Sequence, residues 1–294
     1  MSMRKRLSRF FWGRSWRVLR RYAPPEFIAV LKYRQVGLSQ KPAVFAHKNL
    51  VTAKEAPSGS VLVLAPHQDD EVIGPGGALA QHLTNGDPVS VLYLTDGRGP
   101  DPDDASLIEI RRSEAEQVGA RYSLQQIFWE VPNLRLTNDA ETVRRLVEVL
   151  EEVRPDHIYL PSFFERHRDH FAANRVLVDA LEQLPGAAIS VLGYEVWDDV
   201  PYPNYVVDIS AAFATKAAML NLYLTPMQYT DFVELCRCRN ALHYLLFIGS
   251  GRREPAGYAE AFCRLEAGEY VALFREFETV LRENHNPIAS KQHE

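Results

Sequence analysis

The chain has 294 residues, 46% of them hydrophobic and 24% charged, and a formal net charge of −5. This is an ordinary globular composition, long enough for one large domain or two small ones. It excludes a chain-wide attraction to nucleic acid, and no run reaches the roughly eighteen apolar residues that span a bilayer.

Residues 1–22 carry eight Arg and Lys and no acid, interleaved with Phe10, Phe11, Trp12, Trp16 and Tyr22. Such a segment can make a peripheral contact with an anionic membrane surface, or form a helical extension that packs on its own domain or on a second subunit of an oligomer. No unbroken apolar stretch follows the basic residues, so no secretory signal is expected. Pro24-Pro25 closes the segment. Residues 26–58 read as an irregular lead-in with a short helix near 27–33. From Ser60 onward, strand-like runs at 61–65, 89–94, 127–131, 157–161 and 189–194 alternate with helical patterns at about 74–84, 106–119, 139–153 and 170–184. That alternation predicts an α/β fold: a Rossmann-like, mostly parallel sheet flanked by helices, with its active site at the carboxyl edge of the strands. Further on, 205–209 reads as a strand, Ser210 caps a helix through 216–223, and 229–247 is an amphipathic helix. The expected organisation is a lead-in over 1–58, a catalytic domain over 59–283 and a polar tail over 284–294. Gly74-Pro75-Gly76-Gly77 is not a dinucleotide fingerprint, which argues against NAD. Cys236, Cys238 and Cys263 are too few for a disulfide framework and fit a reducing, cytoplasmic setting, peripheral at the inner membrane face if the basic segment binds lipid.

Two clusters carry the chemistry. Pro66-His67-Gln68-Asp69-Asp70-Glu71 follows the first buried strand, and His167-Arg168-Asp169-His170 follows the fourth by a short loop. An unpaired buried charge costs several kcal/mol, so crowded acids at a strand exit call for a partner. A cation is the simplest one, and imidazole with carboxylate suits zinc or a similar divalent ion. Exit loops of an open α/β sheet share one edge, so the two clusters can meet.

The two motifs resemble those of the LmbE/PIG-L family of zinc-dependent de-N-acetylases, with Gln68 and Arg168 where the family usually has Pro. Arg111 to Glu114, Tyr194 to Trp197 and Tyr258 to Phe262 resemble further family segments, so the likeness runs over roughly residues 60–265. It implies removal of acetyl from an N-acetylglucosamine-type sugar or glycoconjugate. The residues alone leave open a metal-dependent amidase on another conjugate, or a non-catalytic metal- or sugar-binding protein of the same fold.

One zinc ion with three protein ligands and a water is expected, with His67, Asp70 and His170 as the ligands. The resemblance makes Asp69 the general base; its alternative is to orient a ligand imidazole. His167 is the candidate for stabilising the oxyanion or protonating the amine, with Asp169 tuning and orienting it or capping the following helix. Glu71 is expected to satisfy backbone amides. Arg111, by the resemblance, grips substrate hydroxyls or a phosphate; its alternative is a salt bridge to Glu109 or Glu114. Asp96 ends the second strand and can bind a sugar hydroxyl. Asp101, Asp103 and Asp104 lack the spacing of a calcium loop.

Overall fold

In the computed structural model, which describes residues 49–99, 105–249 and 257–285, the apolar runs become strands of one eight-stranded sheet. The basic segment 1–22, the helix near 27–33, the acids at 101, 103 and 104 and the tail 286–294 lie outside the described residues. Residues 47–271 form one compact unit, and the described part of a second is the helical stretch 272–285.

The strands are β1 (Val51–Ala53), β2 (Val61–Ala65), β3 (Val89–Thr95), β4 (Gln125–Val131), β5 (His157–Pro161), β6 (Ser190–Tyr194), β7 (Tyr205–Asp208) and β8 (Ala259–Glu266). Their order across the sheet is β1-β7-β8-β6-β5-β2-β3-β4. All pairings are parallel except those of β8 with β6 and β7. Every residue of β2, β3, β5 and β6 is buried, so helices cover both faces of the sheet. Each aliphatic side chain so buried contributes about 1.5–3 kcal/mol.

The helices are α1 (Asp70–Ile73), α2 (Gly76–Asn85), α3 (Ile108–Tyr122), α4 (Ala140–Val153), α5 (Arg168–Glu182), α6 (Phe213–Leu220), α7 (Leu224–Met227), α8 (Phe232–His243) and α9 (Ala267–His285). Helix α4 starts cleanly because the Asp139 carboxylate accepts the Thr142 N–H at 2.9 Å. Among the described residues no helix is long and apolar enough to cross a membrane.

The elements differ from expectation in five places. Ser210 does not cap the helix after β7: α6 starts at Phe213 with Ala212 at its N-cap, and the Ser210 hydroxyl donates to Asp208 Oδ1 at 2.6 Å. The helix expected from 74 is broken at Gly74-Pro75, because Pro75 has no N–H to continue the ladder, and a separate first turn starts at Asp70. The helix expected over 229–247 becomes α8 followed by a π-helical turn, Tyr244–Ile248. Strand β1 falls in the stretch read as irregular, and β8 in a stretch that was given no strand.

The chain winds outward from β2 through β3 to β4, then returns to the other side of β2 as β5 and β6. Strand order therefore reverses between β2 and β5. At such a switch point the two exit loops diverge to opposite faces and leave a crevice. Both motifs sit there.

Candidate metal centre

The first loop is held in an unusual backbone geometry. Asp69 has φ 137° and ψ −27°, a conformation that costs a residue with a Cβ about 1–3 kcal/mol. Local bonds hold it. The Asp69 N–H donates to Glu71 Oε2 at 3.1 Å, and the Val72 and Ile73 N–H groups donate to the Asp69 carbonyl at 3.0 and 2.9 Å. Glu71 is fully buried and also accepts from the hydroxyls of Tyr93, at 3.1 Å, and Tyr223. Burial pushes its carboxyl up to about 8, against the Tyr223 bond that favours the ion. The expectation that Glu71 satisfies backbone amides holds for the Asp69 N–H.

A buried ion pair anchors the far end of this loop. Lys216 Nζ donates to the carbonyls of Ile73 and Gly74, both at 2.9 Å, and to Glu260 Oε1 at 2.7 Å. Glu260 in turn accepts the N–H groups of Gly77 and Ala78, at 2.7 and 2.9 Å, at the start of α2. Gly74 presses so closely on the Tyr194 ring that a Cβ there would lie 2.1 Å from it.

The second loop brings in three side chains. His167 is the N-cap of α5, and its Nδ1 accepts the Asp169 N–H at 3.3 Å. Asp169 is thus in the first turn, and the capping role expected for it belongs to His167. Nor does the Asp169 carboxylate reach His167 as an orienting partner. Its Oδ2 accepts from Leu134 N–H at 2.8 Å and lies 3.2 Å from His67 Nε2. His170 is fully buried, with Nε2 3.3 Å from Asp70 Oδ2 and Nδ1 3.6 Å from Glu165 Oε2. Those approaches lack hydrogen-bond alignment, so both ring nitrogens of His170 are without a hydrogen bond.

The two loops converge. Nitrogens of His67, His167 and His170 all lie within 4.8 Å of one another. Asp70 Oδ2 is 3.1 Å from His67 Nδ1, 3.3 Å from His170 Nε2, and accepts the His67 N–H at 2.9 Å. The donor set of imidazoles and one carboxylate, with two buried ring nitrogens unsatisfied, fits a divalent cation.

Without a cation the charges sort by proximity. Burial, the largest single influence, would lower His67 and His170, but Asp70 together with Asp169 at His67 and Glu165 at His170 raises them to about 9 and about 10. Burial likewise opposes ionisation of Asp70, yet the two imidazoles hold its carboxyl far below the usual range. His167 is pushed down to about 3 by burial and by its two imidazole neighbours. Asp69 is raised to about 7 by burial and the Asp70 charge, with Arg111 pulling the other way. Among the described residues the Asp69 carboxylate accepts no hydrogen bond.

Two further candidates stand at the rim. Arg111 makes no ion pair with Glu109 or Glu114; the Glu114 carboxylate instead accepts from Thr225 N–H and Oγ1, each at 2.8 Å. Asp96 is buried and already engaged. It accepts from Arg98 Nε at 2.8 Å and from Asn133 N–H at 3.1 Å.

Residue-by-residue reading of the sequence missed Asn133 and Glu165. Asn133 Oδ1 lies 3.0 Å from His67 Nε2, and its Nδ2 donates to the Arg98 carbonyl. It follows β4 directly, so the exit-loop argument applied to the motifs would have found it. Glu165 accepts the N–H groups of Val196, Trp197 and Asp198 while facing His170. Its signal was its place two residues before His167.

Residues 62–181 match the family described as PIG-L, GlcNAc-PI de-N-acetylase. The chain is 26% identical over 156 residues to the 1D-myo-inositol 2-acetamido-2-deoxy-alpha-D-glucopyranoside deacetylase of Nocardia farcinica, covering 42% of this chain and 52% of that protein. It is 27% identical over 178 residues to the diacetylchitobiose deacetylase of Thermococcus kodakarensis, covering 53% and 66%. It thus spans between about half and two thirds of these relatives' length. Among solved structures, the N,N'-diacetylchitobiose deacetylase of Pyrococcus horikoshii superposes with a TM-score of 0.57 at 21% identity, covering 81% of this chain and 91% of that one. GalB, the 4-carboxy-2-hydroxymuconate hydratase of Pseudomonas putida KT2440, gives 0.57 at 20% identity, covering 71% and 96%. These two establish the fold.

Proposed function

We propose that this chain, whose residues 62–181 form a PIG-L family domain, is a zinc-dependent hydrolase that removes acetyl from an N-acetylglucosamine-type sugar or glycoconjugate. The observation that carries the chemistry is the spacing around Asp70 Oδ2, 3.1 Å from His67 Nδ1 and 3.3 Å from His170 Nε2. At those distances His67, Asp70 and His170 would hold one divalent ion between two imidazole nitrogens and a carboxylate oxygen, a donor set that suits zinc. His167 belongs to the same cluster but is the weaker fourth candidate. Its Nδ1 accepts a backbone N–H, which in the neutral ring leaves the proton on Nε2. A protonated nitrogen donates a hydrogen bond and does not ligate.

When bound, a zinc ion supplies polarisation of the acetamide carbonyl and a more acidic water. The chain's residues supply the rest. Asp69, beside the ligands and with a carboxylate that accepts no hydrogen bond among the described residues, takes the water proton, and its pKa near neutrality suits a group that accepts and then returns a proton. His167 Nε2–H faces the developing oxyanion. Asp169 and Asn133 fix the far nitrogen of His67, and Glu165 backs His170. Arg111, without an ion pair among the described residues and acting electrostatically on Asp69, holds substrate oxygens. Asp96, which accepts the Asn133 N–H, acts by holding Asn133 against His67.

The substrate class rests on what the relatives are named for, since the same residues would serve any accessible acetamide. The test measures metal content and amine release together, on a panel of N-acetylglucosamine derivatives, for wild type and Asp69→Ala. One equivalent of metal in both is expected, with amine release falling by about 10²- to 10⁴-fold in the variant. Metal without turnover in either protein would favour a binding protein of this fold. No metal after zinc reconstitution would overturn the reading.

A further inference from the structure

Among the buried polar atoms without a partner at and beside the centre, two are complementary and lie outside the proposed ligand set. Gln68 is 1% exposed. Its Nε2 donates to the Thr95 carbonyl at 3.0 Å, and its Oε1 is buried without a hydrogen-bond partner. The bond to Thr95 fixes which end of the amide faces which way, because a flipped amide would set oxygen against oxygen. Arg111 Nε is likewise buried without a partner. One is a pure acceptor, the other a pure donor.

Both side chains reach the same backbone position. A Cβ on Gly97 would lie 2.0 Å from Gln68 Oε1 and 3.2 Å from Arg111 Cδ. Gly97 has φ +70° and no side chain, so it is the gap across which the two groups face. A hydrocarbon side chain at position 68 would fill its space without burying an unsatisfied oxygen. Proline, the residue usual in the family the motif resembles, could offer no acceptor at all. Gln68 is a departure of this chain from that pattern.

We propose that Gln68 is a positioning residue for Arg111: its fixed amide oxygen receives the Arg111 Nε–H across Gly97 and sets the direction in which the guanidinium's terminal nitrogens face Asp69 and the substrate. The bond forms by rotation of the Arg111 side chain. It leaves the terminal nitrogens free, since a guanidinium donates from Nε independently of them. Preset in this way, Arg111 loses less freedom when substrate arrives, so the gain falls on binding. The substrate half of this inference rests on the function proposed above; the side-chain pairing does not.

The test has one readout that needs no turnover. In the ¹H–¹⁵N spectrum of the full-length protein, the Arg111 Nε–H resonance, assigned by its loss in Arg111→Lys, is expected to exchange slowly with solvent. In Gln68→Leu it should exchange at least tenfold faster. Should Gln68→Leu fold poorly, Gly97→Ala perturbs the same pair from the other side, its methyl displacing Gln68 Oε1, and should give the same acceleration. On a substrate that turns over, Gln68→Leu is expected to raise KM about tenfold with kcat within about twofold. That effect should vanish in an Arg111→Lys background, because Lys has no Nε–H in this position. Fast exchange in wild type, or exchange that neither substitution changes, overturns the pairing. A rise in KM of equal size in both backgrounds overturns action through Arg111. Absence of turnover on every substrate bears on the proposed function alone, and the exchange rates then decide.

Discussion

Asp69 shows the conflict between stability and chemistry at a single residue. It combines a backbone conformation disfavoured for any side chain with a carboxyl held near pKa 7, against an ordinary value of 3.8. An acid whose folded pKa is raised contributes fully to stability below about pH 4. That contribution is lost as pH rises through about 7, where burial forces a charge on the folded state. Asp69→Ala removes the titration but keeps the strained φ. Asp69→Gly removes both. In urea unfolding of the metal-free protein, Asp69→Ala should therefore gain on wild type progressively between pH 4 and 7. Asp69→Gly should exceed Asp69→Ala by about 1 kcal/mol at every pH. Both should be inactive. A glycine variant no more stable than the alanine variant would mean that φ 137° stores no strain in the native loop.

At the scale of elements, α1 and its loop are positioned by Lys216 on α6 and Glu260 on β8, residues over 140 positions away in sequence. Removing one partner of a buried pair strands the other charge, which typically costs about 3–5 kcal/mol. Lys216→Met should destabilise the metal-free protein by about that amount. It should also weaken zinc binding, because the carbonyls of Ile73 and Gly74 lose their donor. Lys216→Met/Glu260→Gln should recover part of the stability, since the amide oxygen can still accept at the start of α2. Equal stability of the single and double variants would remove the ion pair from this role. The same pair explains what sequence reading could and could not reach. Strands β2, β3 and β5 were legible because each is a mostly apolar run buried along its whole length, and the two motifs were legible because polar clusters at strand exits are expensive without a partner. Strand β8 was not: Ala-Glu-Ala-Phe-Cys-Arg-Leu-Glu has a helical composition, and it becomes a strand by pairing antiparallel with both β6 and β7, where Glu260 also meets Lys216 and the N-terminus of α2. The break at Gly74-Pro75 was visible in the residues yet was read through. Asp96 and Asp169 lie at the right edge, but an edge position does not say which neighbour a carboxylate selects.

For the whole molecule, the winding of the sheet decides where chemistry can occur, and the side chains decide which chemistry. GalB, a hydratase, shares the fold at a TM-score of 0.57, as does a deacetylase. The fold therefore sets the crevice between β2 and β5 without setting the reaction. The side chains of this crevice set its charge. His67 and His170, raised to about 9 and about 10, are both protonated at pH 7 and share the ionised Asp70. The two imidazoliums are offset by Asp70 together with Asp169, which lies 3.2 Å from His67 Nε2 and whose carboxyl is held below its usual range by His67 against the effect of burial. Zinc needs the same nitrogens unprotonated, so both protons must leave. Binding of one zinc at pH 7 should release about two protons, and the apparent affinity should rise about 100-fold per pH unit between pH 6 and 8. It should level off only as pH passes about 9 to 10, where the imidazoliums lose their protons unaided. Calorimetric titration of zinc into metal-free protein, in two buffers of different ionisation enthalpy, counts those protons directly. Release of two would tie metal uptake to the His67–Asp70–His170 set. Release of none would mean that the imidazoles are already neutral, and that Asp70 is balanced by something other than the two histidines it touches.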